Sequence, residues 1–118
     1  IHISSFISEN RPWGSFKILE HQNGFKVKRL TVLPGHRTSL QLHKHRSERW
    51  TVVQGEATVV LGEEIHKINV NNWIYIPLGE KHMLSNEGEK VLEIIEVQLG
   101  DYLGEDDIIR FEDKYGRI

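Results

Sequence analysis

The chemistry-bearing side chains of this 118-residue chain crowd into Gln41-Leu42-His43-Lys44-His45-Arg46-Ser47-Glu48-Arg49-Trp50, with another histidine after the turn Pro77-Leu78-Gly79-Glu80-Lys81-His82. If Gln41 and His43 lie on one strand they share a face, because strand side chains alternate. Glu48, across a turn, can face the same interior. Imidazole nitrogen, amide oxygen and carboxylate oxygen gathered inside a barrel would suit a divalent metal. Most histidines, however, are surface or hydrogen-bonded core residues. His2, His21, His36 and His66 have no partner at useful spacing and read as surface or structural.

The elements that must position this cluster are short. Turn residues recur at Asn23-Gly24, Pro34-Gly35, Gln54-Gly55, Leu61-Gly62, Asn71-Asn72, Leu78-Gly79 and Asn86-Glu87-Gly88. Between them lie β-branched and aromatic runs such as Trp50 to Val53, Ala57 to Leu61, Trp73 to Ile76 and Val91 to Val97. That rhythm predicts an all-β sandwich or barrel, and no helical period is sustained in the middle of the chain. After Gly104, acids followed by Ile108, Ile109, Phe111, Lys114 and Gly116 suit either one short helix or an extended tail. Trp13, Trp50 and Trp73, with Phe16, Phe25 and Tyr75, read as core packing residues. One domain is expected over 1–118, with an N-terminal arm at 1–10, a barrel at 11–99 and a C-terminal segment at 100–118.

Composition excludes several classes. The 38% apolar and 27% charged shares are those of a globular domain. No apolar run approaches the ~20 residues of a membrane helix. A formal charge of −2 makes no electrostatic case for nucleic acid or an anionic membrane as partner. Cysteine is absent, which excludes disulfides, thiolate zinc sites and a cysteine nucleophile. The start, Ile1-His2-Ile3-Ser4, shows no secretory pattern, so a cytoplasmic setting is the default expectation. It also lacks methionine, which fits a processed chain or one cut from something longer.

Spacing adds specificity. Five residues separate Gly35 from Gln41, one separates Gln41 from His43, four separate His43 from Glu48, and six separate Glu48 from Gly55. The second block runs Pro77, Gly79, His82 and Asn86, with Asn71 ahead of it. These spacings resemble the two signature motifs of the cupin superfamily, with Gln41 where most cupins have histidine and Asn71 where a glycine usually leads. The resemblance implies a small double-stranded β-helix (jelly-roll) barrel holding an ion through Gln41, His43, Glu48 and His82. A register that uses His43 and His45 as the leading pair breaks two of the gaps and stays as the alternative. Arg11-Pro12-Trp13-Gly14, the Gln41–Trp50 block, Tyr102-Leu103-Gly104-Glu105-Asp106-Asp107-Ile108, Arg110-Phe111-Glu112-Asp113 and Tyr115-Gly116-Arg117 narrow the likeness. Together they resemble the cupin of type II mannose-6-phosphate isomerases over about residues 10 to 117.

That family is metal-dependent, usually through zinc. It is often the C-terminal part of a bifunctional enzyme with a mannose-1-phosphate guanylyltransferase. No glycine-rich nucleotide-binding segment of that transferase occurs here, so guanylyl transfer is not expected of this chain. The implied reaction interconverts mannose 6-phosphate and fructose 6-phosphate through an enediol. It asks for an electrophile, a base and an anchor for phosphate. A redox-silent Lewis acid, Zn2+ first, suits a donor set with two oxygen ligands. For the base, His45 fits by type and position, with Lys44 second and Glu96 third if its strand points inward. His45 reads equally well as a residue that orients His43 or Glu48. For phosphate, Arg11 and Arg110 rank first and Arg46 follows, from a wider set including Lys28, Arg29, Lys44 and Arg117. A homodimer is expected from the family, the small core and the two terminal segments. Two rivals stay open: a nucleotide-sugar epimerase-like cupin using a histidine base without metal, and a non-catalytic sugar- or sugar-phosphate-binding cupin.

Overall fold

A computed structural model describes residues 7–117. Residues 1–6, most of the expected arm, lie outside the described residues. Eleven strands follow in order: β1 (Ile7–Arg11), β2 (Gly14–Gln22), β3 (Phe25–Val32), β4 (Leu40–Leu42), β5 (Arg46–Gln54), β6 (Ala57–Leu61), β7 (Glu64–Ile68), β8 (Trp73–Ile76), β9 (His82–Ser85), β10 (Leu92–Gly100) and β11 (Ile109–Glu112). They form a six-stranded sheet ordered β1-β2-β3-β10-β5-β8 and a five-stranded sheet ordered β11-β4-β9-β6-β7. All pairings between them are antiparallel. The architecture is all-β, as the turn rhythm predicted, and it is the jelly roll that the cupin resemblance implied.

The short helix considered after Gly104 is not there. Residues 104–107 turn, with the Asp107 N–H donating to the Gly104 carbonyl at 3.2 Å, and the chain then pairs as β11 along β4. A helix this short is marginal alone, whereas the open edge of β4 offers backbone partners at once.

Antiparallel partners share a face, so the register shows what points inward. On the large sheet, one row is Leu30–Ile94–Val52, the next Lys28–Glu96–Trp50, and the next Lys26–Gln98–Glu48. On the small sheet, Arg110, Gln41 and His82 stand side by side on β11, β4 and β9. The barrel interior is therefore apolar at one end, around Val32, Val52, Val59, Leu84 and Ile94, and polar at the other. Trp13, Phe16 and Trp50 are buried as expected, but Trp73 and Tyr75 are 54% and 47% exposed. Strand β8 is an edge, and its inward phase is taken by Ile74 and Ile76.

Turn chemistry accounts for the motif residues that carry no reactive group. Asn71 has φ 76°, a left-handed conformation that asparagine tolerates, which explains how it replaces a glycine. Asn86 is buried, and its amide donates to the carbonyls of Val32 at 2.9 Å and Lys90 at 2.8 Å. It thereby ties the end of β3 to the loop before β10.

Gly100 ends β10 against the turn that carries the site. A Cβ there would lie 2.1 Å from the His45 carbonyl oxygen and 2.9 Å from Arg46 Cα, both backbone atoms. Gly100→Ala should cost roughly 1–3 kcal/mol through this overpacking. Denaturant unfolding checks it, and an unchanged midpoint would show that the turn moves freely.

Candidate metal and substrate site

His43 follows β4, and its Nδ1 donates to the carbonyl oxygen of Asp107 at 2.6 Å. His82 opens β9, and its Nδ1 donates to the Glu80 carbonyl at 2.9 Å. A ring nitrogen that donates to a carbonyl carries a proton, so in the neutral form of each ring Nε2 carries the lone pair. Those Nε2 atoms lie 3.3 Å and 3.9 Å from the Glu48 carboxylate oxygens. One donor atom from each of His43, Glu48 and His82 falls within 4.8 Å of the others, and all three residues are buried. Gln41 lines the same cavity, with its Nε2 spent on Ser39 Oγ at 3.0 Å and its Oε1 left as the donor end. Two neutral imidazoles, one carboxylate and an amide oxygen fit a divalent ion by donor chemistry.

Glu48 is held from both sides. Arg46 Nε donates to Oε2 at 2.7 Å and the Trp50 indole to Oε1 at 3.1 Å. Burial alone would raise its pKa, but Arg46 and His82 outweigh it and hold the carboxyl below its ordinary value. Burial, then Arg46 and His82, lowers the His43 pKa to about 4, so this ring is neutral near pH 7. Arg46 also donates through Nη2 to His43 Nε2 at 3.3 Å. A bound cation and this guanidinium would therefore compete for the same lone pairs.

Glu96 sits beside this set on β10. Its Oε2 accepts the Trp50 indole N–H at 2.8 Å and its Oε1 accepts from Gln98 at 2.8 Å. Burial, followed by the neighbouring Glu48, raises its pKa. Lys28, also on the cavity wall, lies 4.0 Å from the centroid of the Phe16 ring and pairs with Glu105. Lys26, two residues earlier on β3 and equally buried, donates to the Leu103 carbonyl at 2.6 Å.

Of the sequence candidates, Gln41, His43, Glu48, His82, Glu96, Arg11, Arg46 and Arg110 all reach the cavity. Lys44 and His45 do not. Their backbone N–H groups both donate to the Asp107 carboxylate, each at 2.9 Å, and this turn aims their side chains outward. His45 is 52% exposed and lies 3.5 Å from Asp101. Sequence reasoning missed Lys26, Glu105, Asp107 and Asp113. The tail motifs around the last three were visible, but spacing could not show that the segment returns to the site.

Two sheets closed over a buried histidine–glutamate set make this a cupin-type barrel. Among solved structures it is similar to oxalate decarboxylase from Bacillus subtilis, at TM-score 0.81 and 17% identity over 94% of this chain and 31% of that chain. It is also similar to a putative sugar phosphate isomerase from Acidithiobacillus ferrooxidans, at TM-score 0.59 and 20% identity over 64% of this chain and 50% of that one. At such identities these likenesses show the fold. The family model described as "Mannose-6-phosphate isomerase C-terminal" matches residues 2–113, and the chain belongs to that family. Xanthan biosynthesis protein XanB of Xanthomonas campestris is 55% identical over 91% of this chain. Alginate biosynthesis protein AlgA of Pseudomonas aeruginosa is 51% identical over 91% of it. Mannose-1-phosphate guanylyltransferase ManC of Salmonella typhimurium is 48% identical over 92%. The chain spans only 22–23% of the length of these relatives.

Asp113, beyond β11, accepts hydrogen bonds from the Arg117 side chain and backbone, and these lower its pKa to about 2. Its contribution to stability is complete above its unfolded value near 4 and disappears as pH falls towards 2. The stability gap between wild type and Asp113→Asn should be constant above about pH 4 and close below it. Melts from pH 2 to 6 measure this; a gap independent of pH would contradict it.

Proposed function

We propose that this domain interconverts mannose 6-phosphate and fructose 6-phosphate. The observation that carries the reading is a buried His43–Glu48–His82 set with a buried carboxyl, Glu96, beside it in an arginine-lined cavity. The family description supports it.

His43, Glu48 and His82, with Gln41, would hold a divalent ion, Zn2+ by preference. Such an ion supplies Lewis-acid polarisation to the oxygens on the two reacting carbons. The rest falls to the chain itself. The Asp107 and Glu80 carbonyls favour the tautomer of the two rings whose Nε2 carries the lone pair. Glu96 is the proton carrier between C1 and C2, with its carboxyl aimed by Trp50 and Gln98. Arg46 offers its Nη1, buried and without a hydrogen-bond partner among the described residues, to a substrate oxygen. Arg11 and Arg110 take the phosphate. Trp13 and Phe16 line the wall and limit water. The homodimer is part of the proposal, and sedimentation at micromolar concentration tests it.

The direct assay follows fructose 6-phosphate formation by the zinc-loaded chain, with and without chelator. Product that stops with chelator and returns with zinc is the expected result; no product from loaded protein would leave a sugar-binding cupin. Two variants refine it. His82→Ala should lose the metal, as read by elemental analysis. Glu96→Gln should keep the metal and lower kcat by roughly 100-fold or more, the usual loss for a general base. His45→Ala should stay within a few-fold of wild type, and a larger fall than in Glu96→Gln would transfer the proton role to His45.

A further inference from the structure

Arg46 stands inside the barrel at the start of β5, 5% exposed, and its fork spans two of the metal-donor side chains. Nε donates to Glu48 Oε2 at 2.7 Å, and Nη2 donates to His43 Nε2 at 3.3 Å. Those two acceptor atoms are themselves 3.3 Å apart. The guanidinium therefore bridges the same pair of atoms that a divalent ion would bridge. Nε2 of a neutral imidazole has one lone pair, which serves the guanidinium or the ion but never both. The carboxylate differs, because its two oxygens offer several acceptor positions. Nε can stay on Oε2 while an ion binds; Nη2 cannot stay on His43.

Charge explains why the chain keeps a cation at this place. Glu48 and His43 are both buried, and a buried carboxylate without a counter-charge is strongly unfavourable. The two buried lysines are committed elsewhere, Lys26 to the Leu103 carbonyl and Glu105, and Lys28 to Glu105. Among the described residues, Arg46 is the one lysine or arginine paired with Glu48. A planar, weakly hydrated guanidinium suits such a site better than an ammonium. The arrangement leaves Arg46 Nη1 buried with no hydrogen-bond partner among the described residues. An unserved buried donor is unfavourable, so the group gains by shifting once His43 is taken.

We infer that Arg46 is a resident counter-ion of the metal site: its Nη2 caps His43 Nε2, and an incoming divalent ion displaces that cap while Nε holds Glu48. The inference rests on the metal reading above and concerns how the site is filled, not what it catalyses. With the cap in place, the donor set is neutralised and folds ahead of metal. The cap also weakens metal binding, since the ion binds only the fraction of molecules in which His43 is released. A partner that merely supports a metal ligand has the opposite effect, and its removal lowers affinity by roughly 10- to 100-fold. The sign of the change separates the two roles.

Zinc affinity of the purified chain, measured by competition with a chelating indicator, tests this together with melting of the chelated and zinc-loaded protein. Arg46→Met removes both charge and fork. It should bind zinc more tightly than wild type, by roughly 10- to 100-fold, and melt lower when chelated. Arg46→Lys keeps a charge for Glu48 without the fork that reaches His43. It should bind zinc more tightly than wild type by a smaller factor, with a chelated melting temperature near that of wild type. This variant carries the test if Arg46→Met does not fold without metal. Crystals of zinc-loaded wild type should show Nε on Glu48 and Nη2 off His43. Unchanged or weaker zinc affinity in either variant would overturn the cap and leave Arg46 as a support for Glu48. A zinc-loaded structure with Nη2 still on His43 Nε2 would do the same. Zinc binding by none of the three proteins would overturn the metal reading and the cap with it. If affinities rise as expected but no fructose 6-phosphate forms, the isomerase reading falls and the cap stands.

Discussion

The structure turns on one carboxylate placed where water cannot reach it. Glu48 is 2% exposed, and a charge so buried survives only with partners on every side. It has them: Arg46 and Trp50 donate directly, and the Nε2 atoms of His43 and His82 face it. Each partner comes from a defined place. Arg46 and Trp50 are two residues away on either side along β5, on the same face of the strand. His43 and His82 arrive from the opposite sheet. Closing the barrel is therefore what assembles the donor set, and the set in turn constrains how the sheets face each other.

The C-terminal segment has a similar double duty. Asp107 uses its carbonyl to fix the His43 ring and its carboxylate to bind the Lys44 and His45 N–H groups. Glu105, from the same segment, pairs with two lysines that the barrel would otherwise bury unpaired. Burial would raise the Glu105 pKa, but Lys28 prevails and keeps it below the ordinary carboxylate value. The segment then runs on as β11 and brings Arg110 and Arg117 to the opening. Glu96, the His43–Glu48–His82 set and the guanidinium groups of Arg11, Arg46, Arg110 and Arg117 thus share one cavity without sharing one stretch of sequence.

Much of this was legible in residue spacing. The donor residues are separated by fixed gaps because they sit at fixed places on strands and turns, and Asn71 in a glycine position made sense once its φ proved positive. Residue type was a poorer guide elsewhere. Phe25 read as core, yet in Phe25-Lys26-Val27-Lys28 the two lysines are the buried phase, because Leu103 and Glu105 wait there to receive them. The histidine nearest the ligands, His45, looked like a base by type. Two backbone hydrogen bonds to Asp107 turn it outward, and a contact of sequence separation above sixty is not readable from spacing. Trp73 and Tyr75 looked like core for want of knowing that β8 is an edge. The tail read as one short helix or an extended segment, and the edge that makes it a strand lies far back in the chain.

The central claim is that the buried set is a metal centre, and anomalous diffraction from crystals of zinc-loaded protein tests it most directly. One zinc peak per chain is predicted, roughly 2.0–2.2 Å from the Nε2 atoms of His43 and His82 and from a Glu48 oxygen. A map with no peak in that cluster, or with its zinc at His45 and Asp101 instead, would contradict the account.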